Sequence, residues 1–138
     1  MPQSNFVVIE HKAKRAGLHW DIRFEIPKSH NWASFACRKT PPTEMGVRIM
    51  AVRTHDHSEK EALFTGTIES GYGAGTLKTW DKGKCEIIKY SPGKHIVVDF
   101  KGGKLKGVYH FLSTKVLKKG AHTGKKGESY MFFKGKIK

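Results

Sequence analysis

His19-Trp20-Asp21-Ile22-Arg23-Phe24-Glu25-Ile26 alternates polar and apolar residues without a break. Successive side chains of an extended strand point to opposite faces. Trp20, Ile22, Phe24 and Ile26 therefore make an apolar face, and His19, Asp21, Arg23 and Glu25 a polar one. A period of two sustained over the whole stretch excludes an amphipathic helix and points to a half-buried strand.

The same short-strand pattern recurs at Phe6–His11, Trp32–Cys37, Val47–Thr54, Phe64–Ile68, Thr76–Trp80, Lys84–Tyr90, His95–Phe100, Val108–Thr114 and Ser129–Lys134. Fifteen glycines and five prolines punctuate these runs, and turns are expected at Lys82-Gly83, Ser91-Pro92-Gly93 and Lys101-Gly102-Gly103. The best helical piece is Ser58–Ala62, where Ser58 and Glu61 have capping-box spacing. Many short strands in 138 residues predict a mainly β fold: one compact single-domain β-barrel over residues 1–138 with little helix. No internal repeat or domain boundary interrupts it. Lys115–Gly127 reads as a basic, glycine-containing loop.

No apolar run approaches the length of a membrane span. The first residues lack the basic-then-apolar layout of a signal peptide, so a cytoplasmic monomer without membrane contact is expected. Cys37 and Cys85 form no CxxC pair, which leaves a cysteine zinc site unsupported and reduced thiols as the expectation. Charge is more informative. Lys and Arg total 26 against 12 acids, a formal net charge of +14. Each phosphate neutralised by a cation releases counterions, so a polyanionic partner is the leading explanation. A merely soluble basic domain is the alternative.

Three constellations bear chemistry. His19, Asp21 and Arg23 project together, and His11 joins them if its strand pairs with theirs around Arg15-Ala16-Gly17. Imidazole and carboxylate suit a metal such as manganese or zinc, and a guanidinium suits a pair of phosphate oxygens. A solvated outer face with a surface ion pair would show the same alternation. In His55-Asp56-His57 the two histidines share a strand face, which Arg53 would join. A histidine there can donate a proton or stabilise a transition state, although a polar strand end is the plainer reading. Gly71, Gly73 and Gly75 alternate without a following GK[ST], so they are structural turn glycines rather than a nucleotide loop.

As an ordered set these residues resemble the phosphoesterase domain of bacterial and archaeal DNA ligase D and its stand-alone relatives. The resemblance runs from Phe6 to Lys134. It rests on Phe6-Val7-Val8, His11, His19-Trp20-Asp21-Ile22-Arg23-Phe24-Glu25, Trp32-Ala33, Asp56-His57, Phe64-Thr65-Gly66-Thr67-Ile68, Gly71-Tyr72-Gly73-Ala74-Gly75-Thr76, Trp80-Asp81-Lys82-Gly83 and Leu105-Lys106-Gly107. It implies a compact barrel with a crescent-shaped groove, manganese as cofactor, and action on primer–template 3′ ends. A terminal ribonucleoside would be removed to leave a 3′-phosphate, and then that phosphate to leave a 3′-OH. A separate ATP-dependent DNA ligase and end-joining proteins are the implied partners.

Carried over by position, His11, His19 and Asp21 match the metal ligands and Arg23 a phosphate-binding arginine. His57 matches a second essential histidine, and Arg48 a further phosphate contact. Arg38 or Lys39 takes the place of a lysine near the third strand. With Arg53, they are the expected nucleic-acid contacts. Glu61 stands where a functional tyrosine is common, and a longer N-terminal arm is not found before Phe6. Both departures bear on the phosphate-removing step. Two rivals remain: a non-catalytic basic barrel that binds nucleic acid, and a metal enzyme for a small phosphorylated substrate. Neither explains both the converging His, His, Asp and Arg and the large basic surplus.

Overall fold

The computed structural model describes residues 3–15, 17–71, 74–114 and 128–136. Its elements in chain order are β1 (Gln3–Ala13), β2 (Gly17–Glu25), β3 (Trp32–Cys37), β4 (Arg48–His57), α1 (Glu59–Ala62), β5 (Gly66–Ile68), β6 (Gly75–Ser91), β7 (His95–Gly102), β8 (Lys106–Ser113) and β9 (Ser129–Lys134). Antiparallel pairing runs β1-β2-β3-β4-β9-β8-β7-β6, and β6 pairs back with β1, closing an eight-stranded barrel. β5 adds to the free side of β6. Among the described residues closure leaves the short β5 at the edge of the sheet, which suits a chain with so much strand. Among the described residues no helix is long and apolar enough to cross a membrane.

The alternation of β2 holds. Trp20, Ile22 and Phe24 enter the barrel core with Phe6 and Val8 of β1 and Phe35 of β3. Phe35, Phe111 and Phe132 continue this aromatic interior, with centroids 4.3 Å apart for Phe35–Phe111 and 4.6 Å for Phe111–Phe132. A second, smaller apolar cluster lies outside the barrel wall. There Val7, Ile9, Trp32 and Leu77 pack under Ala62 of α1. The segment after β4 therefore arches over the outer face of β1, and it is this arch that buries polar groups on what would otherwise be an open surface.

Some boundaries differ from the sequence reading. β4 continues through His57, so the His55-Asp56-His57 triplet is strand. Phe64 stays outside β5 and is 43% exposed. The expected turn at Lys82-Gly83 is absent, because β6 runs unbroken through it. It pairs with β1 from Gly75 to Glu86 and with β7 from Gly83 to Ser91. Gly83 is needed for close approach instead: a Cβ there would lie 2.5 Å from the Lys101 carbonyl oxygen. Gly75 plays the same part against β1, where a Cβ would collide with the Lys12 carbonyl. The short helix forms as expected. The Ser58 hydroxyl accepts from the Glu61 N–H, and the Glu61 carboxylate accepts from the Ser58 N–H. The basic loop at 115–127 lies outside the described residues, as do Tyr72 and Gly73.

Candidate active site

The β1–β2 hairpin sets the site. Its register places His11 directly opposite His19, and Ile9 opposite Asp21. Both histidines and Asp21 project from the outer wall, and the ligand atoms of the three all lie within 4.8 Å of one another. His19 Nε2 is 3.5 Å from Asp21 Oδ1, and His11 Nδ1 is 3.8 Å from Asp21 Oδ2. A cation about 2.0–2.2 Å from each ligand would hold them roughly 3–3.5 Å apart, so the residues fit a metal with slight contraction. Two imidazoles and one carboxylate leave further coordination positions open.

The surroundings orient these groups. His19 Nδ1 is 3.3 Å from the Gly17 carbonyl oxygen. The tautomer that donates this hydrogen bond leaves the Nε2 lone pair facing Asp21, the form a metal requires. The Asp21 carboxylate, 3.5 Å away, raises the pKa of His19 against the opposing effects of burial and of nearby Arg38. His11 and Asp21 are 8% and 5% exposed, too buried for a solvated surface pair.

Arg23 is buried beside them. Its Nη2 donates to Asp21 Oδ2 at 3.3 Å, and its Nε to the Ser34 hydroxyl at 3.3 Å. Its Nη1 donates to the Ala62 and Glu61 carbonyls at 2.9 and 3.3 Å. The guanidinium thus ties the Asp21 carboxylate to the end of α1. Of its five N–H donors, one on Nη2 points to none of these partners.

His57 sits opposite Trp32, on the strand that leads into α1. Its ring is 4.4 Å from that of His55, and its Nδ1 is 3.7 Å from Glu61 Oε1. Burial lowers its pKa, with help from the charges of Arg23 and His55, which favours the neutral imidazole. Glu61 is held below the ordinary carboxylate range, first by its bond from the Ser58 backbone.

Other expected residues fall elsewhere. Arg53 does not share the face of His55 and His57. It pairs with the core residue Phe35, and the register shift between Trp32 and Ser34 separates it from the histidines. Its guanidinium turns into the barrel mouth, 5.2 Å over the Phe35 ring, and donates to Tyr90 and Asp56 at 3.0 Å. Arg48 begins β4, nine residues before His57. At ~3.3 Å per residue they stand roughly 25–30 Å apart, so no single phosphate touches both. Glu25 is at the far end of β2, accepting from the Asn5 N–H. Arg38 follows β3 close enough to act on His19, and Lys39 beside it is exposed. Cys37 and Cys85 are buried free thiols, each pushed up to about 12 by burial.

Ser34 and the carbonyls of Glu61 and Ala62 are site elements that the sequence reading missed. The alternation of Trp32 and Ser34 on the outer face of β3 was the available signal for the serine; backbone carbonyls leave none.

A family model for the DNA ligase D 3′-phosphoesterase domain matches residues 9–113. The multifunctional non-homologous end joining DNA repair protein LigD of Mycobacterium tuberculosis is 35% identical over 115 residues. The corresponding end joining protein of Mycolicibacterium smegmatis is 36% identical over 122 residues. In both cases the match covers 80% of this chain, which spans about 15% of the length of the relative.

Proposed function

The chain belongs to the DNA ligase D 3′-phosphoesterase family, and from that premise we propose that it is a manganese-dependent enzyme that trims 3′ ends of nucleic acid. It removes a terminal ribonucleoside from a primer strand and then, more slowly, the 3′-phosphate left behind. The observation that carries this reading is the set of His11, His19 and Asp21 ligand atoms within 4.8 Å, fastened through Asp21 to a buried arginine.

Hydrolysis at phosphorus is slow because a nucleophile must approach an anion. A manganese ion held by His11, His19 and Asp21 would supply Lewis-acid charge neutralisation and activation of water. Arg23 keeps Asp21 aimed at that position and offers its remaining Nη2 hydrogen to a phosphate oxygen. His57, neutral at working pH, donates a hydrogen bond to the leaving oxygen as charge develops there. Arg38 and Lys39 hold the neighbouring backbone phosphates. The natural partner of this reading is an ATP-dependent ligase that seals the 3′-OH, within end joining.

The test is a labelled primer–template bearing one 3′ ribonucleotide, incubated with and without manganese. Metal-dependent appearance of a 3′-phosphate is expected. Binding without any cleavage would leave the inert basic barrel as the better description.

A further inference from the structure

Beyond the metal triad, the outer face of β3, β4 and β9 has a composition of its own. These strands carry a single acid, Asp56, which is ion-paired to Arg53 at the far end of β4. Three of the six large apolar side chains left exposed among the described residues, Met45, Val47 and Met50, fall within six residues spanning the start of β4. Arg48 stands among them, its guanidinium 5.7 Å over the Phe133 ring of β9.

This face is continuous with the candidate site. β2 pairs Trp20 with Cys37, and β3 pairs Ala36 with Val52. Arg38, the next residue, therefore leaves β3 between the levels of His19 and Met50, and its charge reaches His19. Met50 in turn lies opposite Met131. Strands are ~4.8 Å apart, so Met50 is two strands, roughly 10 Å, from the metal triad. That is the span of one or two nucleotides.

We propose that this face is the track for the nucleic acid strand entering the site: Met50 makes an apolar platform for a base, and the arginines on either side engage its phosphates. Platforms of this kind bind single strands without reading sequence. The track rests on the end-processing function proposed above, and it directs the strand across β4, where Met50 and Arg48 lie level with Arg38 and the triad.

The experiment measures anisotropy of a fluorescent primer–template with Met50→Glu, Met50→Lys and Lys101→Gln. Lys101 is exposed on β7, and Lys101→Gln lowers the net charge as much as Met50→Glu does. Met50→Glu is expected to weaken binding at least fivefold, Met50→Lys to preserve or tighten it, and Lys101→Gln to change it less than twofold. Because Cys37 and Cys85 are buried, a photo-crosslinker on Met50→Cys should mark the strand within a few nucleotides of its 3′ end. Equal effects of Met50→Glu and Lys101→Gln, or no crosslink, overturn the track while leaving wild-type cleavage as evidence for the function. If Met50→Glu instead dissociates a dimer in sedimentation, the face joins two copies and the track is wrong. If the wild type neither binds nor cleaves, both readings fall.

Discussion

Asp21 has two tasks that the sequence shows as one. It is a candidate metal ligand, and it also anchors Arg23 under the arch. Asp21→Ala should abolish metal-dependent cleavage and also cost about 1–3 kcal/mol, because a buried guanidinium loses its charged partner. The apolar face of Trp20 and Ile22 is untouched, so the variant should still fold. Thermal unfolding checks this: manganese should raise the midpoint of the wild type, by about 2.7 kcal/mol of stabilisation at a hundredfold excess over Kd, and leave Asp21→Ala unmoved. A manganese-induced shift retained in the variant would place the metal elsewhere. Glu61 allows a second test. Its carboxylate is mostly exposed and faces His57 across 3.7 Å, where it opposes a doubly charged 3′-phosphate more than a singly charged diester. A time course should therefore show 3′-phosphate accumulating before 3′-OH. Glu61→Gln keeps the capping geometry and should speed the second step several-fold relative to the first. Rapid hydrolysis of a synthetic 3′-phosphate primer by the wild type would contradict this ordering.

At the level of elements, the Trp80-Asp81-Lys82-Gly83 segment proves architectural. Asp81 is buried and accepts three backbone hydrogen bonds, from Gly103 at 2.9 Å, Lys104 at 2.9 Å and Leu105 at 2.7 Å. It caps the β7–β8 turn as Gly83 lets β6 pass close to β7. Asp81→Ala should cost about 3 kcal/mol and lower the melting temperature by about 10 °C. It should leave manganese-dependent turnover of the folded fraction intact; loss of turnover at low temperature would put Asp81 in the site instead. Most strands were legible because one face of each is core, so period two survives in the residues themselves. β6 was read as two strands, because the glycine that lets it pass close to β7 is flanked by lysines and so reads as a turn. The grouping of His19 and Asp21 was legible for the reason β2 was: alternation put them on one side, whereas His11 joined them only through the β1–β2 pairing. Arg53 misled because a register shift reverses facing without leaving any mark in composition. Arg48 misled because its strand was expected to end at Thr54, and only the continuation of β4 through His57 sets nine residues of extended chain between the two.

For the whole molecule, the charge excess of +14 would make the proposed binding to nucleic acid an ion-exchange process. If four or five phosphates are neutralised, the logarithm of the binding constant should fall with the logarithm of potassium chloride at a slope of about −4. A flat dependence would remove nucleic acid as the partner. Barrel closure has a different consequence. The seam between β1 and β6 joins Gln3 to Glu86 and Ala13 to Gly75, and such distant contacts form late because a long loop must close first. His11 and His19, by contrast, belong to one hairpin and need only a short loop between them. The ligand pair can therefore assemble early in folding, while the carbonyls that hold Arg23 arrive only once β4 and α1 are in place. An ion that binds the hairpin would then act as a nucleus around which the rest of the chain is organised, and manganese present during refolding would speed the folding limb rather than merely slow unfolding.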